Sequence, residues 1–133
     1  MEKHVYLLWR KAEQSREDFN AATKPALAQA LAEQSAAGVQ INIVDEGVAP
    51  AAGLRQEKMQ ASIDGFVSFW LPSTHVRHAL EATLRSHASR IAGYVVLESE
   101  AIVNTTQNVA PGERTPGFAQ VVCIQKPDRL THE

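Results

Sequence analysis

The sequence lacks the features that mark several large classes of protein. It has a single cysteine, Cys123, among 133 residues, so no internal disulfide can form, which is typical of a reducing compartment. We expect this thiol to be a small buried hydrophobe. The 13 basic and 15 acidic side chains are interspersed and give a formal net charge of −2, so no basic patch marks a nucleic-acid partner.

Long apolar runs are also missing. No stretch approaches the roughly 20 residues that span a bilayer. The first residues, 1–6, do not have the basic-then-apolar order of a signal peptide. We therefore expect a cytoplasmic protein that has no membrane partner.

Metal and cofactor motifs are few. The glycines are isolated, so no loop is built to hold a phosphate. His75 and His78 lie three residues apart, a spacing that can bind a metal, but a solvated helix face is the favoured interpretation. We expect neither a metal nor an organic cofactor.

Hydrophobic patterning, in contrast, is clear enough to predict an α+β domain. Strands are predicted at residues 3–10, 39–43, 62–71 and 94–103. Ser15 and the Pro72-Ser73-Thr74 segment are each followed by apolar residues at helical spacing. Pro25 either kinks the first helix or begins a second segment, and Gly38 is expected to end it. Residues 45–57 are predicted to be a loop.

The resulting order is β-α-β-β-α-β, the ferredoxin-like motif. It predicts one domain over residues 1–103. Residues 104–117 are rich in turn formers, and Phe118 to Gln125 has the pattern of an additional C-terminal strand. Because this end resembles the beginning of the chain, residues 104–133 are interpreted as the possible start of a truncated second repeat.

Alternation along the strands predicts a sheet with two apolar faces. One predicted face carries Val5, Leu7, Trp9, Ile63, Val67, Phe69, Val95 and Leu97. The other carries His4, Tyr6, Leu8, Phe66, Ser68, Trp70, Tyr94, Val96 and Glu98. Since two helices cover only one face, we expect a homodimer with sheet facing sheet, although long loops could cover the second face instead.

The second predicted face also carries the candidate site. His4, Tyr6 and Glu98 are its candidate catalytic residues: His4 would transfer a proton, Tyr6 would stabilise an oxyanion, and Glu98 would be their partner. Candidate substrate-binding residues on the same face are Asp64, Phe66, Ser68 and Trp70. An apolar face with a few polar groups is the usual composition of a small-molecule site.

Each of these candidates has an ordinary alternative. A histidine near the N-terminus and a glutamate late in a strand are commonly solvated edge groups. Arg90 could bind a carboxylate ligand, but the favoured role is capping the second helix, where a cation is stabilising near the C-terminus.

Three segments resemble the EthD-like family: Ser15-x-x-Asp18-Phe19, Phe69-Trp70-Leu71 and the run from Arg90 to Glu100. The resemblance covers roughly residues 3–103. It implies a dimeric α/β barrel, in which two ferredoxin-like sheets pack face to face. Members of the family include proteins linked to the degradation of small organic compounds, and dehydratases and decarboxylases of polyketide pathways.

One departure from that family pattern concerns the first helix. Typical members carry an aromatic residue and a histidine before Ala-Pro, whereas residues 20–26 contain Pro25 without histidine or tryptophan. The resemblance implies a small-molecule-binding protein or cofactor-free enzyme acting on an apolar, aromatic or oxygenated compound. The departure favours the alternative, a non-catalytic dimeric binding or assembly module.

Overall fold

A computed structural model describes residues 1–56, 58, 61–107, 109–117, 119–124 and 127–129. The chain divides into two units, Met1–Val103 and Asn104–Glu133. All of the regular secondary structure among the described residues belongs to the first unit.

The first unit has four strands and two α-helices. In chain order they are β1 (Glu2–Trp9), α1 (Arg16–Glu33), β2 (Ala37–Ile43), β3 (Gly65–Leu71), α2 (Arg77–His87) and β4 (Arg90–Val96). Short 3₁₀ helices cover Glu46–Leu54 and Thr74–Val76. The unit is therefore α+β, and its order of elements is consistent with the predicted ferredoxin-like arrangement.

The four strands form one antiparallel sheet in the order β2-β3-β1-β4. The N-terminal strand is central, because β1 pairs with β3 on one side and with β4 on the other. His4 pairs with Phe69 of β3 and with Val95 of β4. Even-numbered residues of β1 consequently share a face with odd-numbered residues of both neighbours.

Helices α1 and α2 pack on the face that carries His4, Tyr6 and Leu8. Their apolar side chains meet those of the sheet in one core. Its buried members are Tyr6, Leu8, Phe19, Leu27, Ala30, Leu31, Val67, Phe69, Leu71, Leu80, Leu84 and Ala88. Burial of this apolar area is the main stabilising contribution to the unit.

The first helix begins where the sequence predicts. The Ser15 hydroxyl accepts a hydrogen bond from the Asp18 backbone amide, and this satisfies one of the free N–H groups of the first turn. Pro25 lies inside one helix that continues to Glu33. The predicted end at Gly38 is wrong: Gly38 lies in β2, and the chain leaves the helix through Ser35, whose φ is 55°.

Several other boundaries differ from the prediction. Strand β3 begins at Gly65 rather than at Ser62, and β4 covers Arg90–Val96 rather than residues 94–103. The predicted loop at residues 45–57 contains the Glu46–Leu54 3₁₀ helix. Arg90 opens β4, and the basic residues in the last turn of α2 are Arg85 and His87.

The second unit lacks the predicted fifth strand over its described part. Residues 119–124 adopt no regular secondary structure, and the strand's first and last predicted residues, Phe118 and Gln125, lie outside the described residues. Alternating apolar residues alone did not produce a strand here. Cys123 is exposed, which corrects its expected burial. Among the described residues, no helix is long and apolar enough to cross a membrane.

Gly93 provides a test of the sheet register. It pairs with Tyr6, and a Cβ atom added to Gly93 would lie 2.8 Å from Cζ and 2.9 Å from Cδ1 of the Tyr6 ring. Alanine in place of a strand glycine ordinarily stabilises a protein by about 0.5–1 kcal/mol. At Gly93 we expect the steric overlap with the Tyr6 ring to outweigh this gain. Gly93→Ala should therefore lower the free energy of unfolding by about 1–3 kcal/mol in urea titrations.

Gly53→Ala is the matched control, because a Cβ atom at Gly53 would meet nothing within 4 Å. It should change stability by less than about 0.5 kcal/mol. Combining Gly93→Ala with Tyr6→Leu should give a less than additive loss. A neutral Gly93→Ala variant would contradict this register.

Candidate functional site

The register separates the predicted site residues into different groups. His4 and Tyr6 lie on the helix-covered face, whereas Phe66, Ser68 and Trp70 lie on the opposite face. The prediction that they share one face is wrong. It compared even numbers with even numbers, but the register pairs even residues of β1 with odd residues of β3.

His4 and Tyr6 are joined by an aromatic stack. The Phe69 ring lies 5.8 Å from the His4 ring and 5.8 Å from the Tyr6 ring, with an angle of 8° between the planes in both pairs. His4 is 1% exposed. Its Nε2 atom lies 3.5 Å from the Thr74 hydroxyl, which also donates to the Glu2 carboxylate.

Tyr6 has a carboxylate partner that the sequence prediction missed. Its hydroxyl donates a 2.8 Å hydrogen bond to Glu81 of α2. Glu81 also faces Arg77 and Arg85, with nitrogen–oxygen distances of 3.7 and 3.9 Å. A sequence signal for this contact existed, because a buried tyrosine hydroxyl needs a partner and the nearest crossover helix carries Glu81.

Burial changes the acidity of both residues. It lowers the pKa of His4 below its ordinary value of 6.5. Burial, followed by the hydrogen bond to Glu81, raises the pKa of Tyr6 far above its ordinary value. The result is a neutral imidazole and a neutral phenol within the fold, an arrangement that favours packing and hydrogen bonding over charge.

Glu98, the third predicted catalytic residue, is on the other face. It pairs with Lys3, and the distance from Nζ to Oε1 is 3.0 Å. The Lys3 ammonium also lies 5.3 Å from the centre of the Trp70 ring. Lys3 is 8% exposed, an unusual position for a lysine, and alternation with Val5 would have placed it on this face.

Around this ion pair lies a cavity of about 340 Å³, which we call the sheet-face cavity. It is lined by Lys3, Val5, Gln40, Phe66, Ser68, Val96, Leu97, Glu98 and Ser99. Three predicted residues, Phe66, Ser68 and Glu98, therefore do line one cavity. Trp70 stands beside it, in contact with Lys3.

Asp64 belongs to a third location. Its backbone amide donates to the Leu8 carbonyl, and its side chain faces Arg10 and Arg16. These groups line a second cavity of about 480 Å³ at the end of the sheet where β1 leaves and β4 begins. We call it the basic cavity.

The helix histidines do not form a metal site in the described part of the chain. No group of three or more His, Cys, Asp or Glu side chains there is arranged to hold a metal ion. His75 and His78 are both exposed, as the solvated-face interpretation expects.

The acidity of His4 gives a testable pH dependence. Below pH 6.5 the unfolded chain binds a proton at His4, whereas the folded chain does so only at lower pH. The free energy of unfolding should therefore fall as the pH decreases from 6.5 to the folded pKa, by up to about 1.4 kcal/mol per pH unit. His4→Phe should remove this component from urea titrations between pH 7 and 5.

His78→Gln removes an exposed histidine and serves as the control. It should keep the slope of the parent protein. An unchanged slope in His4→Phe would mean that His4 is not protected from protonation by the fold.

Comparisons with known proteins identify the fold but no family. No protein-family model and no curated protein matches the chain. Seven chains of solved structures do match. One is At3g17210 from Arabidopsis thaliana, known from a crystal structure treated by ensemble refinement. The match has 11% identity and a TM-score of 0.52 and covers 77% of this chain and all of that one, which indicates a shared small α+β fold.

Proposed function

We propose that this chain is a small-molecule-binding protein that takes an apolar, oxygenated compound into the sheet-face cavity without a cofactor. The observation that carries the proposal is the Lys3–Glu98 pair in a cavity with apolar walls. Val5, Phe66 and Val96 supply those walls, and Ser68 adds a hydroxyl. This combination is the usual composition of a ligand site.

The Lys3–Glu98 ion pair contributes little to the stability of the fold. The Glu98 side chain is 44% exposed, so water screens the attraction, and pairs of this kind contribute about 0–1 kcal/mol. Burying the Lys3 ammonium opposes that small gain. The Lys3 ammonium has three N–H donors. A carbonyl or phenol oxygen of a ligand would accept a hydrogen bond from a donor that is not bonded to Glu98.

Enclosure of this cavity is the second part of the proposal. We infer that a second copy of the chain packs on the same sheet face, as in a dimeric α/β barrel of EthD-like type. Large side chains support this, because Trp70 and Tyr94 lie on the face opposite the helices and neither is fully buried by its own chain. Tyr94 is 54% exposed.

The geometry favours binding over catalysis. Glu98 lines the sheet-face cavity, but His4 and Tyr6 lie on the other side of the sheet and are engaged by Phe69, Thr74 and Glu81. The predicted catalytic trio would therefore need to act across the sheet. This separation supports the alternative of a non-catalytic dimeric binding module.

Two adjacent residues of β4 test the dimer. Tyr94 and Val95 are 54% and 55% exposed but lie on opposite faces. Light scattering at micromolar concentration should give twice the chain mass of 14.5 kDa for the parent and for Val95→Glu. Tyr94→Glu should give a folded monomer, because a carboxylate would be buried at the interface.

A monomeric parent with an ordered sheet would overturn the dimer. Equal dissociation of both variants would show that a charge on β4, rather than the sheet face, determines assembly.

Ligand binding is tested by thermal shift with a panel of small phenols and aromatic ketones. A compound that stabilises the parent should lose most of its effect in Lys3→Met and in Ser68→Leu, which fills the cavity. His4→Phe changes the neighbouring residue on the other face and should keep the effect. The reverse pattern would place the site between the sheet and the helices.

A further inference from the structure

We propose that the basic cavity is a second ligand site, which binds a small molecule through its carboxylate or phosphate group. It is separate from the sheet-face cavity and does not depend on that cavity's function. Four cationic residues, Arg10, Lys11, Arg16 and Arg90, line it together with one carboxylate, Asp64.

The charge of this cavity contrasts with that of the chain. The whole protein has a formal net charge of −2, whereas the lining of the basic cavity has three more positive than negative side chains. Concentrating like charges around one cavity raises the electrostatic energy of the folded protein, and an anion would relieve it. Anionic ligands are therefore the class that this cavity selects.

Asp64 does not satisfy the arginines that face it. Its Oδ1 atom lies 3.4 Å from Arg10 Nε and 3.6 Å from Arg16 Nε, beyond the usual 2.7–2.9 Å of a charge-assisted hydrogen bond. Both Nε atoms are buried without a hydrogen-bond partner among the described residues. The other Asp64 oxygen is occupied, because it accepts a 3.0 Å hydrogen bond from the Arg10 backbone amide.

Arg90 is held by an aromatic ring, and its guanidinium makes no hydrogen bond or ion pair to another described residue. Its guanidinium lies 3.7 Å from the centre of the Trp9 ring, and the Trp9 indole is fixed by a 3.1 Å hydrogen bond to the Ala61 carbonyl. Trp9 and Arg90 are partners in the β1–β4 register. A guanidinium stacked in this way keeps its edge of N–H groups available for a carboxylate or phosphate.

Three elements thus bring arginines to one end of the sheet. Arg10 follows β1, Arg16 opens α1 and Arg90 opens β4. Planar guanidinium groups recognise two oxygens at once, which both carboxylate and phosphate provide. The volume of about 480 Å³ lies within the range of small-molecule sites.

Isothermal titration at constant ionic strength tests the proposal with inorganic phosphate and succinate as probes. We expect saturable binding of at least one probe to the parent protein. Arg16→Gln and Arg90→Gln should each weaken it tenfold or more. Arg85→Gln, which removes an arginine of α2 outside this cavity, should leave the affinity within twofold.

Asp64→Asn adds a change of opposite sign. Removing the competing carboxylate should raise the affinity severalfold, provided that circular dichroism shows the parent fold. If that variant unfolds, Arg90→Gln decides, because among the described residues the Arg90 side chain interacts with the Trp9 ring alone. The relative affinities of phosphate and succinate identify the preferred group.

Three results would overturn the site. The first is the absence of saturable binding of both probes. The second is a loss of affinity in Arg85→Gln equal to that in the cavity variants, and the third is an unchanged affinity in both Arg16→Gln and Arg90→Gln. None of them bears on the sheet-face cavity, which uses different side chains.

Discussion

The pairing of the first strand between β3 and β4 is the constraint on which the rest of the structure depends. Seven residues of β1 pair with β3 and seven with β4, so its backbone is fixed from both sides. This register assigns every side chain of β1 to a face, and a slip of one residue would exchange the faces. In this register His4 and Tyr6 share the helix-covered face with their partners Phe69 and Val67 of β3.

The buried polar side chains of β1 find different kinds of partner on the two faces of the sheet. On the helix side, Tyr6 donates to Glu81 and His4 stays neutral, so the core contains no unpaired charge from β1. On the other side, Lys3 remains close to Glu98 and the Trp70 ring. The first arrangement is closed by side chains of the same chain, whereas the second borders a cavity that has room for a ligand.

Local signals in the sequence were sufficient for the order of helices and strands in the first unit, but not for all of their bounds or for the predicted fifth strand. The Ser15 cap and the β-prone residues of β1 are short-range signals, and the structure has both the cap and the strand. The candidate site depended on pairing between strands more than 50 residues apart, which periodicity does not contain. Phe66, Ser68 and Glu98 line one cavity because the even-numbered residues of β3, and of β4 with the two residues that follow it, share a face. His4 and Tyr6 were misplaced because β1 has the opposite parity.

The same central strand supplies a residue to every site described. Lys3 borders the sheet-face cavity, Tyr6 reaches α2, and Arg10 enters the basic cavity just after the strand ends. Central strands are usually the last elements to open, so side chains fixed on them keep their geometry. Lys3 and Arg10 lie near opposite ends of β1, which separates the two cavities along the strand, whereas Tyr6 points to the helix-covered face. This division explains how one small sheet can present an apolar cavity and a cationic one without bringing their charges together.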